Sequence, residues 1–103
     1  MSTDLERYQY ESDPNLACTG NARRTIEQLL EQGVTAYAYW VPEREPDTGH
    51  VFVIAQGQRP DDLPLNLPAR WRDRPRRLTV EDVLRRGKDC TQDMLEGDWS
   101  EFG

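Results

Sequence analysis

The residues best placed to do chemistry in this chain are a cysteine and the arginine six positions after it. Cys18-Thr19-Gly20-Asn21-Ala22-Arg23-Arg24-Thr25 brings together a thiol, a Gly-Asn turn signal and a guanidinium. A loop of backbone amides ahead of a helix can cradle an oxyanion. Arg24 would clamp that anion with two parallel hydrogen bonds. The same field would favour Cys18 as a thiolate nucleophile. Other catalytic material is sparse. His50 is the single histidine, so it cannot anchor a zinc site alone, and no CxxC or HxxxH spacing accompanies it. No metal and no cofactor is expected. With no second catalytic group spaced near it, His50 reads as a partly exposed residue at a strand start.

The octet around Cys18 resembles the Cys-x-Gly-Asn-x-x-Arg-Ser/Thr loop of the low-molecular-weight tyrosine phosphatases and the arsenate reductases similar to them. The resemblance implies a phosphatase-like or reductase-like enzyme with Cys18 as nucleophile and Arg24 as anion clamp. It covers eight of 103 residues. In that family the cysteine ends a buried parallel strand, whereas here it follows Ser12-Asp13-Pro14-Asn15-Leu16-Ala17. The family's Asp-Pro acid lies far downstream of the cysteine, whereas Asp13-Pro14 precedes it here.

Two further constellations concern binding. Arg70-Trp71-Arg72-Asp73-Arg74-Pro75-Arg76-Arg77 interleaves an aromatic with arginines. Arg70, Arg72, Arg74, Arg76 and Arg77 could hold phosphates while Trp71 stacks on a base, which would make a nucleic-acid-binding module. The alternative is a solvated connection with Trp71 packed inward. The C-terminal segment is purely acidic, with Asp89, Asp93, Glu96, Asp98 and Glu101 and no base. Leu95, Trp99 and Phe102 recur in it at i, i+4 and i+7, the spacing of an amphipathic helix that docks in a partner groove. Trp99 and Phe102 could equally fold back onto the protein's own core.

These residues must be positioned by a small number of elements. Val34–Gly57 holds two runs of β-branched and aromatic residues separated by turn formers, the signature of a β-hairpin. Val34, Ala36, Ala38 and Trp40 share one face of the first strand, and Thr35, Tyr37, Tyr39 and Val41 the other. Both faces are apolar or aromatic, so the strands should be central and covered on both sides. A helix is expected over about 21–32, capped by Asn21 or Thr19, with Ala22, Ile26, Leu29 and Leu30 at helical spacing and Gly33 as its stop. A second is expected over about 79–87. Thr79 and Asp82 form a capping-box pattern there, Leu78 and Val83 a staple, and Val80, Val83 and Leu84 face the core. Gly87 closes this second helix. Cys90, Met94 and Leu95 would form the apolar side of a last helical turn or two. Glu6, Tyr8 and Tyr10 could line an edge strand. Leu63, Leu65 and Leu67 alternate in a proline-bearing wrap, with Trp71 anchoring its end.

The expected fold is α+β, a small antiparallel sheet of two or three strands built on the hairpin, in a single domain. Residues 58–77 form a Pro/Arg-rich connection and 89–103 an acidic tail. The net charge of −6 disfavours nucleic-acid or membrane binding by the surface as a whole. No apolar run approaches the ~18 residues of a membrane helix and no secretory signal is visible, so a cytoplasmic protein with Cys18 and Cys90 as thiols is expected. With no assembled catalytic set, the favoured function is a non-enzymatic interaction or regulatory protein. It would act as inhibitor or adaptor of a larger protein assembly, possessing a basic or nucleic-acid-binding surface, through Leu95, Asp98, Trp99, Glu101, Phe102 and Trp71. Monomer and homodimer are both open.

Overall fold

The computed structural model describes residues 5–11, 13, 15–42, 49–68 and 78–96. Its elements are a 3-10 turn at Leu5–Tyr8, α1 (Cys18–Glu31), β1 (Ala36–Pro42), β2 (Gly49–Ala55), α2 (Val80–Arg86), β3 (Lys88–Asp89) and α3 (Thr91–Glu96). The sheet is three-stranded and antiparallel, in the order β2-β1-β3. The fold is thus α+β, with the hairpin at its centre. Ala36 pairs with Ala55, Tyr39 with Phe52 and Pro42 with Gly49. On the outer side of β2, Leu65 exchanges two backbone hydrogen bonds with Val53, at 2.8 and 3.3 Å.

Both faces of the hairpin are covered. On one face Ala36, Ala38, Val51, Val53 and Ala55 pack against Ala22, Ile26 and Leu29 of α1, with Leu65, Cys90 and Met94. On the other, Val41, Phe52 and Ile54 pack against Leu67, Leu78, Val80 and Val83. The second face is therefore closed by α2 and by part of the 63–67 wrap. Burying a side chain of Val, Leu or Phe size contributes roughly 1.5–3 kcal/mol, so the two layers together hold the sheet.

The helix ends show where local rules hold. α2 carries the full capping box: the Thr79 side chain accepts from Asp82 N, and Asp82 accepts from Thr79 N at 3.1 Å. α1 ends in a Schellman motif, with Val34 N donating to Leu29 O and Gly33 N to Leu30 O, both at 2.9 Å. Gly33 sits at φ +80, a left-handed conformation that glycine adopts at no steric cost. Gly87 has another role. Its φ is −92, but a Cβ there would lie 2.6 Å from Val83 O. The carbonyl of α2's own last turn leaves no room for a side chain, and Tyr39 Cβ and Val41 Cγ2 of β1 would stand only 3.2 Å away.

Several expectations are corrected. α1 begins at Cys18 rather than 21, with Ala17 as its N-cap and no side-chain cap bond. Thr19 and Asn21 lie inside the helix and are buried. Tyr8 and Tyr10 do not share a strand face: the chain turns through the 3-10 helix, and the two rings join opposite core clusters. Leu63 and Leu67 pack on one face of the sheet and Leu65 on the other. Asn66 at φ +63 interrupts the extended backbone between Leu65 and Leu67. Leu30, Leu84 and Leu95 are exposed. Each follows a buried residue (Leu29, Val83, Met94), and one step of about 100° around a helix carries it off the core face.

Candidate functional site

The structure separates Cys18 from Arg24. Cys18–Glu31 is helical throughout, so no loop lies between thiol and guanidinium. Six helical residues place them about 9 Å apart along the axis and about 120° apart around it. An anion cradle needs both groups and a set of amides converging on one point, and that arrangement is not present here. Arg24 instead faces Asp13, with Nη1 3.8 Å from Oδ2. Asn21, the third element of the motif, is a tether. Its Nδ2 donates to Asp13 O at 3.0 Å and Leu16 O at 3.2 Å, and its Oδ1 accepts from Asp13 N at 3.3 Å. It ties the preceding segment to the start of the helix in place of a side-chain cap.

The expected partner-binding set falls mostly outside the described residues. Trp71, Asp98, Trp99, Glu101 and Phe102 lie outside them, as do Arg70, Arg72, Arg74, Arg76 and Arg77. Leu95 is described, and it sits in a surface groove. This groove has a volume of about 630 Å³ and is lined by Tyr37, Asp89, Thr91, Gln92, Asp93, Leu95 and Glu96. Tyr37 is 39 % exposed and Leu95 45 %. Tyr37 comes from the central strand, on the face that Tyr39 and Val41 share further along. Leu95 comes from α3, which runs directly out of β3.

The groove is built by a few specific bonds. Thr91 Oγ1 accepts from Ala38 N at 2.8 Å, and Cys90 N donates to Ala38 O at 2.9 Å. These bonds pin the root of α3 to β1. Asp89 Oδ1 accepts from Thr91 N at 2.9 Å and from Thr91 Oγ1 at 2.7 Å, which shapes the turn into α3. Cys90 and Met94, four apart, face the core, and the next residue, Leu95, is left outside. Glu96 accepts from Gln92 Nε2 at 3.2 Å.

Electrostatically the groove is negative. Asp89, Asp93 and Glu96 line it, and none of them makes an ion pair with another described residue. Their field reaches the buried neighbours. Burial, then Asp89 and Asp93, push the Cys90 thiol up from 9.0 to about 11. Burial, then Asp89 and Tyr37, raise the Tyr39 phenol above its ordinary value. Asp89 and Glu96 are exposed and Asp93 is half-buried, beside the exposed Tyr37 and Leu95.

A second polar cluster lies inside the protein and was missed in the sequence. His50 is only 3 % exposed, which corrects its reading as a partly exposed strand residue. Its Nε2 donates to Asn66 O at 2.5 Å and lies 3.6 Å from Glu11 Oε1. Its ring meets Phe52 edge to face at 4.7 Å. Asn66, 2 % exposed, also donates its N–H to Tyr8 O at 2.8 Å. Thr25 Oγ1 stands 3.0 Å from Asn66 Oδ1 and 2.9 Å from Asn21 O. One hydroxyl proton cannot serve both acceptors. The geometry is satisfied if the Asn66 amide presents its NH2 to Thr25, leaving the hydroxyl proton for Asn21. Either way one position of that amide has no partner among the described residues. Asn66 thus joins β2, α1 and the N-terminal segment. The cue available in the sequence was an asparagine between leucines, since Asn tolerates positive φ.

Among the described residues no group of three or more His, Cys, Asp or Glu side chains could hold a metal ion, and no helix is long and apolar enough to cross a membrane. No family model matches the chain, and no match to it was found among curated proteins or solved structures.

Proposed function

We propose that this chain is a non-enzymatic interaction or regulatory protein, an inhibitor or adaptor of a larger protein assembly, that docks through the groove between Tyr37 and α3. The observation that carries this reading is the combination in that groove of exposed Tyr37 and Leu95 with carboxylates that have no cation among the described residues. Asp89 serves the start of α3, but Asp93 and Glu96 beside it add like charge next to apolar surface with little gain in stability. The arrangement is understandable if a partner supplies the opposite charge and covers the apolar groups. Segregated charge of this kind speeds encounter and fixes orientation more than it adds affinity.

The test is quantitative affinity capture on the full chain, comparing wild type with L95A and with D93N/E96Q. Asp89 is left intact because it shapes the start of α3. Partners held by wild type should be depleted by both variants. If every partner is retained at wild-type level by both, the groove is not the docking element. Aryl-phosphate hydrolysis measured in parallel should show no turnover, in keeping with the separation of Cys18 and Arg24.

A further inference from the structure

The chemistry of the groove also specifies the kind of segment it fits, an inference that rests on reading the chain as an interaction protein. We propose that the groove takes a short basic segment of a partner protein, with one apolar side chain seated between Tyr37 and Leu95 and Lys or Arg cations on Asp93, Glu96 and the outer oxygen of Asp89. The groove is open to solvent on one side, and its volume of about 630 Å³ leaves room for a side chain laid across it. Its apolar surface comes from Tyr37 and Leu95, which lie exposed. Its carboxylates are Asp89, Asp93 and Glu96, and among the described residues no lysine or arginine lines it.

Charge decides among occupants. A nucleic-acid strand would bring its phosphates against three carboxylates, a like-charge contact with no compensation. The chain's own C-terminal residues carry Asp98 and Glu101, the same sign again. A basic protein segment reverses both objections. Its cations find partners that are already in place, and a cation can also lie over the face of Tyr37. The negative potential is not confined to the rim, since it acts on Tyr39 and Cys90 beneath.

The probe is a seven-residue peptide of alternating Arg and Lys around a central Leu, titrated into the full chain and followed by amide chemical shifts. Three controls accompany it: the peptide with Ser in place of Leu, the peptide with Glu in place of each cation, and a single-stranded oligonucleotide of similar length. Expected are shifts concentrated at Tyr37, Thr91, Gln92 and Leu95, and affinity that falls as salt is raised. L95A in the protein, or Ser in the peptide, should each weaken binding about tenfold, the equivalent of one lost apolar contact. D93N/E96Q should weaken it at least as much. Absent shifts, shifts spread evenly over the acidic surface, tighter binding of the oligonucleotide, or an L95A affinity equal to wild type would each overturn the proposal. The two readings fail separately. Native partners whose capture survives both variants would end this inference while leaving an interaction protein. Peptide bound in the groove of a chain that captures no native partner would do the reverse.

Discussion

The Asn66 cluster and the α3 groove are both polar regions set against the hydrophobic core, and they treat their polar groups in opposite ways. Around Asn66, backbone and side-chain groups of α1, β2 and the N-terminal segment are turned inward and bonded to one another. In the groove, Asp93 and Glu96 are turned outward with no cation supplied by the described residues. A buried polar group left unpaired costs free energy, so the first region is held by the fold and is sensitive to change. An exposed carboxylate costs little, so the second can be kept for something other than stability. The comparison teaches where stability and function should part under mutation.

The largest effect should come from the inward region. Phe52→Ala removes a fully buried ring that packs on His50 and the α2 face. It should cost about 3–5 kcal/mol in denaturant unfolding. A loss below about 1 kcal/mol would mean that this side of the core is not packed as described. Next is Thr25→Val, which keeps the shape and removes the hydroxyl. The Asn66 amide then loses its only described partner, at a cost of roughly 1–3 kcal/mol. A neutral result would show that the cluster does not depend on that bond.

Cys90 links the two regions, because it is buried in the core yet feels the groove's carboxylates. Folding pushes its thiol up from 9.0 to about 11, through burial and then Asp89 and Asp93. Between those values the unfolded chain has released a proton that the folded chain keeps. Its contribution is therefore full below pH 9 and lost as pH rises towards 11. Urea midpoints measured from pH 8 to 11 should fall in wild type and fall less steeply in C90A. D93N should soften the fall as well, since Asp93 is one source of the shift. Identical slopes in all three proteins would contradict this assignment.

Much of the scaffold was legible in the sequence, and the reasons differ by element. The hairpin, its two apolar faces and the capping box of α2 follow from period-two patterning and from Thr79 and Asp82, all local signals. The start of α1 was not legible, because Asn21 has the residue type of a cap while serving as a tether from inside the helix. His50 and Asn66 were missed because their burial depends on chain segments that meet only in three dimensions. The outward turn of Leu30, Leu84 and Leu95 was missed because hydrophobicity alone does not choose between adjacent apolar residues. Of the groove, the sequence offered Leu95 and the acidic run. Tyr37 joined them only once β3 had brought α3 alongside β1.

The most direct test of the account is the D93N/E96Q variant, measured for both thermal stability and binding of the basic Leu-centred peptide. Asp93, half-buried, and Glu96, exposed, have no cation among the described residues; they should contribute within about 0.5 kcal/mol of nothing to folding, so the melting temperature should stay within roughly 3 °C of wild type. Peptide affinity should fall about tenfold or more. A melting temperature lowered well beyond that range with peptide affinity unchanged would show that the two carboxylates serve the fold and not a partner.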